Sequence, residues 1–180
     1  MSHNLEEKIT DRTAKIGIIG LGYVGLPLAC EFGYGGFTVT GIDIDEKRVN
    51  SLNEGKNYIS DVDDEKFGKL VQTGALKATT DFSCIKELDV LSICVPTPLN
   101  KLKDPDVSFI NHALSQICNF CTRDCSLFWR VPPIPVPQEK WFYPSFKRHT
   151  LKLAVNCFCV FHRNVWTREI KPTPSPIHPR

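Results

Sequence analysis

The chain has 180 residues, with Lys+Arg 22 against Asp+Glu 20, a formal net charge of +2 and 42% hydrophobic residues, totals that suit one ordinary soluble domain. They exclude a large multidomain machine and give no general reason to expect nucleic acid or a membrane as partner. No run reaches the roughly 20 apolar residues of a spanning helix, and the acidic opening MSHNLEEKITDRTAK lacks the apolar core of a secretory signal, so the cytoplasm with reduced thiols is the expected setting.

Residues 1–14 read as an N-terminal extension, and the ordered pattern begins at Lys15. From Lys15 to Gly20 the run KIGIIG is short, β-branched and apolar on both faces, as a strand buried in a parallel sheet should be. Gly20-Leu21-Gly22-Tyr23-Val24-Gly25 then fits GxGxxG. LPLACEFGYGG continues as a helix whose Leu26, Ala29, Cys30 and Phe32 share one side, ending in Gly33, Gly35 and Gly36. A second strand, FTVTGI from Phe37 to Ile42, ends at Asp43. That is about 20 residues past the glycines, where a dinucleotide-binding fold places its ribose-binding acid.

Each residue type there has a task. Gly20 makes the tight turn, Gly22 lets backbone N–H groups approach a pyrophosphate, and Gly25 lets helix and strand pack closely, while the helix N-terminus supplies partial positive charge. Asp43 is suited to accept hydrogen bonds from ribose hydroxyls and to repel an added 2′-phosphate, which favours NAD over NADP; Lys47 and Arg48 close behind it pull the other way. Arg48 is either a group for the adenosine or a solvated helix residue, and spacing does not choose between them.

Further along, Asp61 to Thr73 reads as a helix with Phe67, Leu70 and Val71 inward, Ala75 to Thr79 as a short strand, and DVLSICV from Asp89 to Val95 as another buried strand. Val95-Pro96-Thr97-Pro98 stops it at the carboxyl edge, where open α/β sheets bind ligands. Thr97 therefore either faces the cofactor or is a turn residue between prolines. After the loop LNKLKDPD, residues from Asp106 to about Asn119 form a helix with Ile110, Leu114 and Ile117 on one side. The expected fold class is α/β, a Rossmann-like parallel sheet over residues 15–119.

Taken together, KIGIIGLGYVGLPLA, Asp43 with Arg48, GKNYISDV, TTDF and ICVPTPLNKLKDPD resemble the amino-terminal NAD-binding domain of the UDP-glucose/GDP-mannose (nucleotide-sugar) 6-dehydrogenases. VPTPL looks most like the members acting on UDP-N-acetylglucosamine and UDP-N-acetylmannosamine. One departure is Asn57-Tyr58, where many members carry Ser-Pro. The resemblance implies an oxidoreductase that converts the sugar's primary alcohol to a carboxylate with two NAD⁺ and a thioester on a cysteine, within an oligomeric parent that takes a UDP-sugar. It assigns Gly20, Gly22, Tyr23, Val24 and Gly25 to the pyrophosphate turn, Asp43 and Arg48 to the adenosine, and Thr97 to the nicotinamide side. The family's lysine, asparagine and nucleophilic cysteine come from a middle region with no match here, so no catalytic residue is assigned. Cys30, Cys84 and Cys94 read as small buried hydrophobes.

Composition changes after residue 118: all 11 Gly precede it, and all three Trp follow it in a basic, proline-rich stretch. Cys118, Cys121, Cys125, Cys157, Cys159 and His162 match no closed zinc knuckle, and no metal site is assigned. VPPIPVP has the pattern of a polyproline ligand. These features support an alternative reading, an interaction or metal-binding protein that uses the basic Pro/Cys-rich tail. The favoured reading is that residues 120–180 are the parent message in a shifted frame. Synonymous codons for Cys121 to Lys140 permit HKGLLVVLESTTYPGTTGE in one such frame, and those for Phe161 to Lys171 permit SPERVDPGNK, both phrases that resemble the family; resequencing across the codons for Ile117 to Arg123 decides it. A tail of that origin is expected to be disordered or irregular, to leave DVLSIC as an apolar edge, and to make the chain marginally stable with weak NAD binding.

Overall fold

The computed structural model of the chain describes residues 5–99 and 106–120, together with the backbone of 125–129 and 157–161. The KIGIIG run forms β1 (Lys15–Ile19). It pairs in parallel with β2 (Thr38–Ile42) on one side and β4 (Val90–Ile93) on the other, with Ile19 level with Ile42 and Ile93. β3 (Leu76–Thr79) adds outside β2, also in parallel. Parallel neighbours need crossovers. The chain steps outward from β1 through β2 to β3, then returns to β4 on the far side of β1. The connections leaving β1 and β4 therefore diverge and open a crevice at the strands' carboxyl ends, the arrangement of a Rossmann sheet.

Strand residues that alternate across the sheet feed two apolar layers. On one face Ile16, Ile18 and Val39 pack with Leu26, Ala29 and Cys30 of α2 (Gly25–Tyr34), Val49 and Leu52 of α3 (Glu46–Asn53), and Phe67 and Leu70 of α4 (Asp64–Gln72). On the other, Ile19, Ile42, Leu91 and Ile93 pack with Ile85 of a 3-10 turn (Phe82–Glu87) and with Ile110, Leu114 and Ile117 of α5 (Ser108–Phe120). Each such aliphatic side chain, fully buried, contributes about 1.5–3 kcal/mol. The inward residues expected of the helices over 61–73 and 106–119 are the ones that face the sheet, apart from Val71, which is only partly buried.

Three elements differ from the sequence expectation. The extension contains a short helix, α1 (Leu5–Thr10), tied down by an ion pair from Lys8 to Asp89, whose other carboxylate oxygen takes the Lys15 N–H at 2.9 Å. The helix predicted from Asp61 starts at Asp64, because the Asp63 carboxylate accepts the Lys66 N–H at 2.9 Å and caps it there. The expected open edge at DVLSIC is corrected: β5 (Cys125–Trp129) pairs in parallel with β4, and β6 (Cys157–Phe161) pairs with β5, extending the order to β3-β2-β1-β4-β5-β6. CSLFW and CFCVF are five-residue apolar and aromatic runs of strand-forming composition; the free ladder groups of β4 offer a template to the first, and the first offers one to the second. The rest of the tail, with VPPIPVP and the side chains of Cys121, Cys125, Cys157, Cys159 and His162, lies outside the described residues.

β3 ends the sheet on the other side, and a side chain covers part of its open ladder. The Asn53 amide at the end of α3 donates to the Ala78 carbonyl at 2.9 Å and accepts the Ala78 N–H at 2.8 Å, in place of a neighbouring strand. Among the described residues no helix is long and apolar enough to cross a membrane. No group of three or more metal-ligating side chains occurs among them either.

Candidate functional site

The glycine turn occupies the crevice between β1 and β4. Gly20 has φ of +93°, a conformation that favours glycine, and a Cβ there would stand 2.8 Å from the Cys94 carbonyl oxygen, just past the end of β4. Its N–H donates to the Ile42 carbonyl at 2.8 Å, which pins the turn to the end of β2. At Gly25 a methyl group would overlap the Gly20 carbonyl oxygen, so the third glycine is what lets α2 begin directly against the turn. Gly22 is different: a Cβ there would meet nothing within 4 Å, so the chain itself does not require the missing side chain.

α2 also starts without a side-chain cap, its first helical residue following Val24. By contrast α3, α4 and the 3-10 turn are each capped by an aspartate, at Asp45, Asp63 and Asp81. A helix start without a side-chain acceptor beside an open glycine is fitted to an outside anion, because the helix dipole adds positive potential there; the Leu26 N–H already bonds the Gly22 carbonyl at 3.0 Å and Pro27 has none, so the donors left for an anion are those of the turn itself. Tyr23 and Val24 lie on this turn with 80% and 48% of their surfaces exposed.

Asp43 stands just past β2 with only 5% of its surface exposed. One carboxylate oxygen, Oδ2, accepts the Leu21 N–H at 2.7 Å, while Oδ1 accepts the Asp45 N–H at 2.9 Å. A carboxylate has about four acceptor positions, so these bonds hold the group in place and leave capacity for a ligand hydroxyl. Arg48, in the first turns of α3, reaches Asp43 Oδ2 at 3.4 Å through Nη1 and Asp45 Oδ2 at 3.6 Å through Nε. The guanidinium thus leans on the Asp43 carboxylate while its side chain stays 46% exposed, so it is both a solvated helix residue and a partner of Asp43. A half-exposed pair at that distance contributes at most about 1 kcal/mol, so its importance lies in where it puts the charge. Thr97 is half-buried on the loop after β4, three residues beyond the Cys94 that backs the glycine turn. The hydrogen bonds of the Asp43 network do not extend to it.

The sequence reading missed a second brace on the turn. The Tyr58 hydroxyl donates to the Leu21 carbonyl at 2.9 Å, so the one residue between Gly20 and Gly22 is held from both ends of its backbone. Burial, and then the charge of Asp43, push the Tyr58 hydroxyl up to about 12. Asn57 beside it donates to the carbonyls of Ile59 and Val62 and to Asp64, and accepts the Ile59 N–H, closing the loop that carries Tyr58. No local pattern marks this contact, since Tyr58 lies 37 residues from Leu21.

Of the three cysteines expected to be buried only Cys30 is; Cys84 and Cys94 are partly buried against the core. Cys30 is buried in α2, and burial pushes its thiol from 9.0 up to about 11, while burial also raises Cys84. With Tyr58 this sets an alkaline limit. Both groups hold their protons in the folded chain to higher pH than in the unfolded one, so stability is unaffected below about pH 9 and falls as the pH rises toward 12. The thermal midpoint should therefore drop between about pH 8 and about pH 11, and drop less in Cys30→Ala. A midpoint flat over that range would contradict the assignment.

Comparison with known proteins gives a consistent result. Residues 14–139 match the model of the UDP-glucose/GDP-mannose dehydrogenase family, NAD binding domain. The chain is 34% identical over 110 residues to the UDP-N-acetyl-D-mannosamine dehydrogenase of Pyrococcus horikoshii, covering 61% of this chain and 26% of that protein. It is 44% identical over 94 residues to the UDP-N-acetyl-D-glucosamine 6-dehydrogenase of Salmonella typhi, covering 52% of this chain and 21% of that one. Among solved structures it is similar to a GDP-mannose dehydrogenase from Pseudomonas aeruginosa, with a TM-score of 0.69 and 27% identity over 81% of this chain and 35% of that one. The chain thus spans about a fifth to a third of the length of these relatives.

Proposed function

Since the chain belongs to the UDP-glucose/GDP-mannose dehydrogenase family and carries its NAD binding domain, we propose that it is the cofactor-holding portion of a nucleotide-sugar 6-dehydrogenase, working in the cytoplasm on a UDP-N-acetylhexosamine. The observation that carries this reading is the Asp43 carboxylate, fixed by the Leu21 and Asp45 N–H groups at the carboxyl edge of the sheet beside an open glycine turn. Gly20 and Gly25 shape the turn; Gly22, Tyr23 and Val24 present backbone to the pyrophosphate; Asp43 takes the adenosine ribose, with Arg48 over the same nucleoside. Thr97, on the loop beyond β4, serves the nicotinamide side.

Bound NAD supplies the hydride acceptor for oxidation of the sugar's primary alcohol. The family's sugar-holding residues and thioester cysteine lie outside the matched NAD binding domain, so the role proposed for this portion is to hold the cofactor, with no turnover of its own. The unit responsible is residues 15–119.

Calorimetric titration of the full chain tests this. NAD should bind at one saturable site, NADP more weakly because Asp43 repels the 2′-phosphate, and UDP-sugar with NAD should yield no NADH. Absence of NAD binding, or NADP binding as tight as NAD, would sink the proposal.

A further inference from the structure

Leu21 is held by three independent contacts. Its side chain is fully buried, and a Cβ on Gly41 of β2 would come within 2.6 Å of its Cδ2, so the side chain lies flush on the sheet. Its N–H is taken by Asp43 and its carbonyl by the Tyr58 hydroxyl. The carbonyl contact has a directional consequence. The Leu21 C=O and the Gly22 N–H belong to one planar trans peptide, in which the two bonds point in opposite directions. Holding the carbonyl against Tyr58 therefore turns the Gly22 N–H away from Tyr58, at the glycine where the chain leaves open space.

We propose that Tyr58 is a positioning residue for the dinucleotide: by gripping the Leu21 carbonyl it presets the Gly22 N–H toward the pyrophosphate. The inference rests on the NAD-binding reading above and adds to it a residue outside the glycine motif. Asp43 serves the same turn through the preceding peptide unit, Gly20–Leu21, so the group that receives the ribose and the group that aims the turn meet on one residue. Tyr58 itself touches no ligand atom in this scheme.

The test is Tyr58→Phe in the full chain, which removes the hydroxyl and keeps the ring's packing. Binding of ADP, which carries the pyrophosphate, and of adenosine, which does not, is followed for each protein by saturation-transfer NMR and calorimetry. Tyr58→Phe should weaken ADP roughly fivefold, the worth of one net hydrogen bond, and leave adenosine unchanged. Asn53→Ala serves as the stability control: it loses the two Ala78 bonds at the far sheet edge and should lower the unfolding midpoint without changing ADP affinity. Equal ADP affinity in Tyr58→Phe and wild type overturns the proposal, as does an equal loss for adenosine and ADP, which would mean that the hydroxyl supports the fold or the ribose site instead. If the wild-type chain binds neither NAD nor ADP, the cofactor reading fails and this inference fails with it; if the wild type binds and the variant matches it, only the inference fails.

Discussion

Replacing Asp43 by alanine should remove cofactor binding and loosen the turn at the same time. The carboxylate accepts the Leu21 and Asp45 N–H groups and lies beside the Arg48 guanidinium, and it is nearly inaccessible to solvent. Without it the Leu21 N–H has no acceptor at a buried position, a loss of about 1–3 kcal/mol, and Arg48 keeps only Asp45. We expect NAD affinity to fall by about 100-fold, because the ribose loses a charged acceptor, about 1.5–3 kcal/mol, and the turn loses its brace, about 1–3 kcal/mol. Asp43→Asn separates them: the amide oxygen can still accept the Leu21 N–H while its NH2 then faces the Asp45 N–H, so the unfolding midpoint should recover in part, and further than the affinity does. It also removes the charge that repels a 2′-phosphate while Arg48 remains, so the preference for NAD over NADP should narrow. Calorimetry with both nucleotides measures this. An Asp43→Ala protein within about threefold of wild-type NAD affinity would remove the residue from the site.

The glycines should behave as two kinds. Gly25→Ala places a methyl group into the Gly20 carbonyl oxygen, and Gly20 has little room to yield: its N–H is bonded to Ile42 and its own Cα faces the Cys94 carbonyl. The overlap is with backbone, so repacking a side chain cannot relieve it, and a loss of about 3 kcal/mol is expected together with loss of NAD binding. Gly22→Ala adds the same methyl group where nothing lies within 4 Å. It should fold with an unchanged midpoint and still bind NAD poorly, because the methyl group occupies the ligand's space. Denaturant unfolding paired with NAD titration distinguishes the two. If Gly22→Ala binds as tightly as wild type, the pyrophosphate does not approach that glycine.

The features legible beforehand were local ones. The strand of KIGIIG, the glycine turn and the helix beginning at Gly25 follow each other without a gap, and each is specified by residues within a few positions of itself. That Asp43 would stand beside the turn was legible because the length of one helix and one strand determines its separation from it. Arg48 was visible but undecided: helical spacing puts it on α3, and only the packing of α3 beside the end of β2 turns it to Asp43. Thr97 lies past the carboxyl end of β4, as the rule for open sheets expects, while its surroundings depend on a loop whose path no periodicity predicts.

What the amino-acid order determined alone was the alternation of buried strands with amphipathic helices, and with it the parallel sheet, because a strand apolar on both faces can be buried only with layers on each side. The tertiary structure decided which distant groups meet at the turn. Tyr58 reaches Leu21 across 37 residues, Asn53 covers the edge at Ala78 across 25, and β5 takes the place beside β4 that composition had left empty. Each of these contacts depends on complementary hydrogen-bonding groups brought within about 3 Å by the packing of the sheet, and that proximity is a property of the folded chain with no local signature in the sequence.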